Sequence, residues 1–385
     1  MGRLQSLVLC MLAACWAAGS PLQQAQIPSP LVSRDCNDSS VLSFAGFALQ
    51  DINREQKDGY VLSLNRVHDV WEQDQDGLGT LFYLTLDVLE TGCHVLSKKS
   101  WKDCEVRTLH TSVYGRCKVM FYINKPRRVL YTPAYNCTLR PVSRSEIHKM
   151  CPDCPSPSPT DLSDPKVLEA VTETLAKFNS ESPSKQYSLI KITRAASQWV
   201  VGPAYFVEYL VKESPCIKSE ENSCSLPSSE SVTVGLCTGS LIRTRIEKLV
   251  TVTCDFFESQ VQAPGGENAA ATQGPPSLPE VEGAAKKKHS SFPVPRGSVQ
   301  YLPDLGDEKS KDSQEQDPQK QDTREAFPVH LDLTSDPQGT ALDVSFLFMG
   351  PEEQKLLVLP FPREEQHSAK CPGPAKHGSP LILPP

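Results

Sequence analysis

Residues 78–93, LGTLFYLTLDVLETGC, return without a gap as residues 201–216, VGPAYFVEYLVKESPC, 123 positions later. Within the first copy, Leu81, Tyr83, Thr85 and Asp87 alternate with Phe82, Leu84, Leu86 and Val88. That period of two is expected of a half-buried strand. Three cysteines follow each copy: Cys104, Cys117 and Cys137, then Cys224, Cys237 and Cys254. The middle step is 13 residues both times (117 − 104 and 237 − 224). A duplicated folding unit with its own disulfides accounts for both patterns.

Upstream of each repeat stands a helix signal. Asn37-Asp38-Ser39-Ser40 offers capping residues before an apolar stripe of Val41, Ala45, Ala48, Leu49 and Ile52. In the second unit Asp164-Pro165 places a cap before proline at the first helical position, followed by Leu168, Val171, Leu175 and Phe178. Asn53 and Asn179 read as the stops. Strand-like runs come next: Tyr60–Val67, Leu81–Leu89, Val113–Ile123 and Val129–Leu139 in the first unit, Tyr187–Thr193, Ala204–Val211, Ser231–Leu236 and Leu249–Phe257 in the second. One helix followed by four closely connected strands implies an α+β unit of antiparallel sheet wrapped around a helix.

The chain therefore divides into a signal peptide (1–19), a first unit (29–150), a linker (151–155), a second unit (156–259) and a tail (260–385). Arg3, the apolar stretch Leu7–Ala18 and the small residues Ala17, Ala18 and Gly19 make the secretory signal. A soluble, secreted, extracellular chain is expected, with no membrane partner. The tail is Pro-rich and reads as mostly disordered over Ala263–Gly297 and Asp304–Arg324. Apolar pattern returns at Val329, Leu331 and Leu333, at Leu342, Val344, Phe346 and Phe348, and over Leu356–Leu359, as short strands able to dock on a domain. The run Lys286-Lys287-Lys288-His289 reads as a solvated stretch of linker.

Of 14 cysteines, Cys10 and Cys15 leave with the signal, and the remaining twelve suit a fully paired framework in an oxidising compartment. Spacing alone leaves the pairing open. The repeat suggests Cys93–Cys104, Cys117–Cys137, Cys216–Cys224, Cys237–Cys254 and Cys151–Cys154, which leaves Cys36 and Cys371 to join the chain ends. Sequons at Asn37 and Asn136 suit N-glycosylation of an exported protein. A formal charge of −7 argues against a nucleic-acid partner.

No enzyme constellation is present. The eight histidines are scattered, and there is no His-Glu-x-x-His motif, phosphate loop or Gly-x-Ser-x-Gly elbow. No cofactor is expected. The linker Cys151-Pro152-Asp153-Cys154-Pro155 could be a redox pair, half of a zinc site, a clip that stiffens the inter-domain connection, or a rigid loop that carries Asp153 to the metal of another protein. A catalytic zinc keeps one position open for water. An aspartate carboxylate, ordinarily ionised at neutral pH, can occupy it, and rigidity lowers the entropic cost of binding. The second station is Gln198-Trp199-Val200-Val201-Gly202-Pro203, a turn before a strand. Trp there is either a partly exposed turn residue or a wedge for a partner's cleft. The corresponding stretch of the first unit, Asp69–Gly79, lacks this sequence, which suggests different tasks for the two units.

The tandem module, with two disulfides per copy, resembles a cystatin domain pair, and Gln198-Trp199-Val200-Val201-Gly202 is similar to the cystatin Gln-x-Val-x-Gly hairpin that enters papain-like clefts. With the Cys-Pro-Asp-Cys-Pro linker, the segment Gly297–Asp304 (GSVQYLPD) and a tail closed by a final cysteine, the whole chain resembles the fetuins. That resemblance implies a monomeric inhibitor of astacin-type zinc metalloendopeptidases, the egg's own astacin among them, with a role in guarding fertilization. It casts Asp153 as the zinc-blocking residue and Gln198–Pro203 as the second wedge. It also leaves open inhibition of papain-like cysteine peptidases through the hairpin, and calcium-phosphate or mineral binding on the first sheet, where Asp87 and Glu90 are scattered acids. The Pro-Trp of the other cystatin wedge is missing from Val234–Gly239 and from the vicinity of Ile242.

Overall fold

The computed structural model describes residues 29–153, 157–183, 185–199, 202–214, 233–244, 246–257, 296–304, 329, 331, 333, 336–348, 353–362 and 369–384. The expected signal peptide lies outside these residues. In the first unit, helix α1 (Ser39–Glu55) starts at Asp38, whose carboxylate accepts the Ser40 N–H at 2.7 Å. Its stripe of Val41, Ala45, Ala48, Leu49 and Ile52 is fully buried. The stripe packs on the inward residues of a six-stranded sheet, among them Val67, Leu84, Leu86, Val119, Phe121 and Leu139. That sheet runs β1 (Val32–Ser33), β2 (Tyr60–Asp74), β3 (Thr80–His94), β4 (Val113–Asn124), β5 (Val129–Pro141), and then β11 (Arg296–Tyr301) from the tail. All pairs are antiparallel except β11, which lies parallel to β5.

A short helix α2 (Arg144–Met150) leads out of the first unit. The second unit repeats the plan. Helix α3 (Pro165–Glu181) begins at Asp164, with proline at its start. It packs on a five-stranded sheet ordered β10 (Lys248–Phe257), β9 (Val234–Arg243), β8 (Pro203–Glu213), β7 (Tyr187–Trp199) and β6 (Ser158–Pro159). The run expected at Ser231–Leu236 is displaced: β9 begins at Val234 and continues to Arg243, while Ser231 and Val232 lie outside the described residues. Its later half, Cys237–Ile242, is interrupted by Thr238, Gly239 and Ser240, so the apolar count that marks a strand is diluted there.

Asn53 and Asn179 are not stops, since each helix runs two residues further, to Glu55 and Glu181. Asn53 instead grips the backbone of β2. Its amide donates to the Leu62 carbonyl at 2.9 Å and its carbonyl accepts the Leu62 N–H at 2.8 Å. Asn179 does the same to Tyr187 of β7, at 3.0 and 2.9 Å. Each side chain acts as one extra strand residue and ties a helix end to its sheet. Because buried backbone groups left unpaired are costly, Asn53→Ala should lower stability by about 3 kcal/mol. Urea denaturation with the disulfides intact measures this, as a shift in midpoint at unchanged slope.

The tail residues that are described dock on the first unit. Strands β12 (Thr340–Asp343) and β13 (Lys355–Val358) form an antiparallel hairpin. With Leu331 and Val344, Leu356 and Val358 bury against Leu81, Tyr83, Met120, Tyr122 and Ala134, on the face of the sheet opposite α1. Disulfides join Cys36 to Cys371, Cys93 to Cys104, Cys117 to Cys137 and Cys237 to Cys254. Cys216 and Cys224 lie outside the described residues, as do most of the tail stretches expected to be disordered.

Candidate functional site

The linker leaves the first unit from α2. Buried Ile147 anchors that helix in a cluster with Leu89, Tyr114 and Val142. Cys151 caps the helix, its N–H donating to the Ile147 carbonyl at 2.8 Å, and it is disulfide-bonded. Pro152 and Asp153 follow in an exposed turn. Cys154 and Pro155 lie outside the described residues. The chain resumes on the second unit as β6, where Ser158 stands opposite Ser197 and Pro159 opposite Ala196 on β7. The Thr160 N–H donates to the Ala195 carbonyl at 3.1 Å, and its hydroxyl bonds Ser197 at 2.9 Å. Arg144 braces the base of the loop, its Nη1 donating to the Ser158 hydroxyl at 2.6 Å across the linker. The linker therefore arrives at the same end of the second sheet as Gln198 and Trp199, one residue beyond its anchoring pair.

At that end β7 turns into β8. Gln198 pairs with Ala204 and Trp199 with Pro203. Val200 and Val201 lie outside the described residues. The Trp199 side chain is 76% exposed. Gly202 is buried beside the neighbouring hairpin, where a β-carbon would sit 2.1 Å from the Arg243 carbonyl oxygen. Only glycine permits that approach. Gly79, its counterpart in the repeat, meets the Ile123 carbonyl in the same way, with a β-carbon position 2.3 Å away.

The neighbouring hairpin joins β9 to β10 through Thr244–Glu247, closed by the Thr244 N–H to the Glu247 carbonyl at 2.9 Å. Val234–Gly239 forms the first half of β9 and carries no wedge, and the hairpin tip lies at Ile246, which is 93% exposed. A lone isoleucine between Thr244 and Glu247 was the available signal; without the strand ends it could not be located. Two exposed residues, Trp199 and Ile246, thus stand at the end of the second unit where the linker from Asp153 arrives.

The first unit offers no equivalent. Its β2–β3 turn is occupied by the chain's own tail: the Gln75 amide donates to the Leu357 carbonyl at 3.1 Å and its carbonyl accepts the Leu357 N–H at 2.8 Å. Asp87 is buried and bonded by Arg66 at 2.5 Å and Arg116 at 3.1 Å. Burial pushes its carboxyl up, but the His68 hydrogen bond and the Arg116 and Arg66 charges outweigh this and hold it below the usual carboxylate range. Glu90 is likewise buried among arginines. These acids are therefore held internally and form no open acidic array. Among the described residues no cluster of three or more His, Cys, Asp or Glu could hold a metal ion, and no helix is long and apolar enough to cross a membrane.

A helix clasped by an antiparallel sheet and repeated in tandem, with Cys117–Cys137 in one copy matched by Cys237–Cys254 in the other, defines a two-domain cystatin protein; the Cystatin domain family matches residues 32–125 and 154–245, once per unit. Human fetuin-B is 63% identical over 390 residues, spanning the whole of both chains. The chain belongs to the fetuin-B family. Two solved structures extend the likeness. Mouse fetuin-B in complex with crayfish astacin matches at 57% identity and TM-score 0.71, over 93% of this chain and 98% of that one. Mouse fetuin-B in its inhibitory complex with human meprin beta matches at 55% identity and TM-score 0.72, over 91% and 99%.

Proposed function

We propose that this chain is a secreted glycoprotein that inhibits astacin-type zinc metalloendopeptidases by entering their active-site cleft with the 151–155 linker and the 198–203 hairpin. The observation that carries the reading is the pairing of β6 with β7, which brings the linker from exposed Asp153 to the end of the sheet where Trp199 is exposed. The two complexes of mouse fetuin-B with such enzymes support it. In the target, a catalytic zinc held by three protein ligands leaves its fourth position to the hydrolytic water. Asp153, an oxygen donor on a loop tied at both ends, would take that position. Trp199 would bury its ring in the cleft, where a large aromatic is a strong anchor, and Ile246 would add apolar contact beside it. Glycans at exposed Asn37 and half-buried Asn136 belong to the same proposal.

The test is a paired titration. Purified chain should inhibit crayfish astacin or human meprin beta stoichiometrically at concentrations where papain keeps its full rate. Inhibition of papain with neither zinc enzyme affected would transfer the function to the Gln-x-Val-x-Gly hairpin alone.

A further inference from the structure

Between the two cystatin domains lies a closed set of charges. Arg107 of the first domain bonds both oxygens of Glu208 on β8, at 2.8 and 2.9 Å, and turns its Nε to Glu90 on β3 at 2.8 Å. Arg194 on β7 returns the contact, donating to Glu90 from the second domain. Two arginines and two glutamates, one of each from either domain, therefore alternate around a neutral ring, three of its sides ion pairs and the fourth the register pair Arg194 and Glu208 of β7 and β8. Tyr60 stands inside it, with the guanidinium carbons 4.3 Å (Arg107) and 5.2 Å (Arg194) from its ring centroid. Its hydroxyl donates to Glu208 and lies 2.9 Å from Thr193. Tyr301 on β11 closes the remaining side, its hydroxyl donating to Glu90 at 3.1 Å. Burial alone would push the Glu208 carboxyl up; Arg107, with Arg194 and Tyr60, holds it below the usual range instead. An apolar layer of Tyr60, Leu210, Leu236 and Phe257 seals the ring, and Lys99–Asp255 bridges the domains at 2.7 Å outside it.

A buried ion pair adds little net stability over apolar packing, but it admits few alternative arrangements and is costly to break. The linker has one leg on α2 of the first domain and the other on β6 of the second, so its shape follows the angle between the domains. We infer that Glu208, Arg107, Glu90 and Arg194 are positioning residues for inhibition, a clamp that fixes the domain angle and so aligns Asp153 with Trp199 and Ile246. This rests on the reading of the linker and hairpin as the inhibitory edge.

The test combines Glu208→Ala with Asp153→Ala in a double-mutant cycle, with small-angle X-ray scattering on each protein. Glu208→Ala should broaden the inter-domain distance distribution and raise the inhibition constant against an astacin-type enzyme about tenfold by loss of preorganisation. In the Asp153→Ala background, where no linker contact remains to be misaligned, the same change should cost less than about twofold. Glu208→Gln, which keeps the shape but only one of the two oxygens that accept from Arg107 and Tyr60, should recover only part of the loss. Arg194→Met approaches the ring from its half-exposed side and serves if Glu208→Ala does not fold. Equal fold-changes in both backgrounds, or unchanged scattering, would overturn the clamp. Scattering is read without any target, so a chain that failed to inhibit would count against the proposed function and leave the clamp measurable.

Discussion

Asp153→Ala, made with every cysteine retained, should raise the inhibition constant against an astacin-type enzyme by about 100-fold, as for a central anchor worth roughly 3 kcal/mol. The side chain is exposed and its loop is tied to α2, β6 and a disulfide. The change therefore removes an oxygen donor without disturbing the fold. Asp153→Asn should fail nearly as badly, because a neutral amide is a poor exchange for an anionic carboxylate as a zinc ligand. Active-site titration gives the constants, and circular dichroism with thermal melting checks that the fold is intact. Inhibition that survives alanine undiminished would remove the metal from the mechanism.

Trp199→Ala should weaken inhibition by about 30-fold, the loss expected of a wedge worth roughly 2 kcal/mol. In the free protein the indole is largely in water. Truncating it should leave unfolding within about 0.5 kcal/mol of the parent, the range for surface changes. A fall in stability with no change in inhibition would make Trp199 a turn residue only. The combination of lost affinity and kept stability is what separates the two roles.

The fold was readable in the chain because its local signals agree. Asp38 and Asp164-Pro165 mark both helix starts, and the β-branched and aromatic runs mark to within a few residues where β2–β5 and β7–β10 begin, although β2, β3, β7 and β9 continue well past the expected ends, to Asp74, His94, Trp199 and Arg243. Asn commonly ends helices, whereas here the Asn53 and Asn179 amides serve strands nine and eight residues further on. Strand β11 was hidden by composition: Gly297, Ser298 and Gln300 resemble the polar tail around them, and the partner strand that orders them lies more than 150 residues upstream. Strand β6 is two residues long and carries no pattern at all. Of the proposed inhibitory edge, Asp153 and Trp199 stand out by residue type. The arrival of the linker at the Trp199 end of the sheet does not, since it depends on the β6 pairing. The clamp was beyond reach for a similar reason, its members being scattered from Tyr60 to Tyr301 and meeting only through tertiary packing.

The bond between Cys36 and Cys371 makes nearly the whole polypeptide a single covalent loop. A molecule whose proposed task is to sit in the jaws of endopeptidases will meet them outside its designed pose as well. One hydrolysed peptide bond anywhere between those two cysteines leaves two fragments still joined, with the tail hairpin seated on the first sheet. Such damage would show on a reducing gel and leave the nonreduced molecule at its original mass, plus one water.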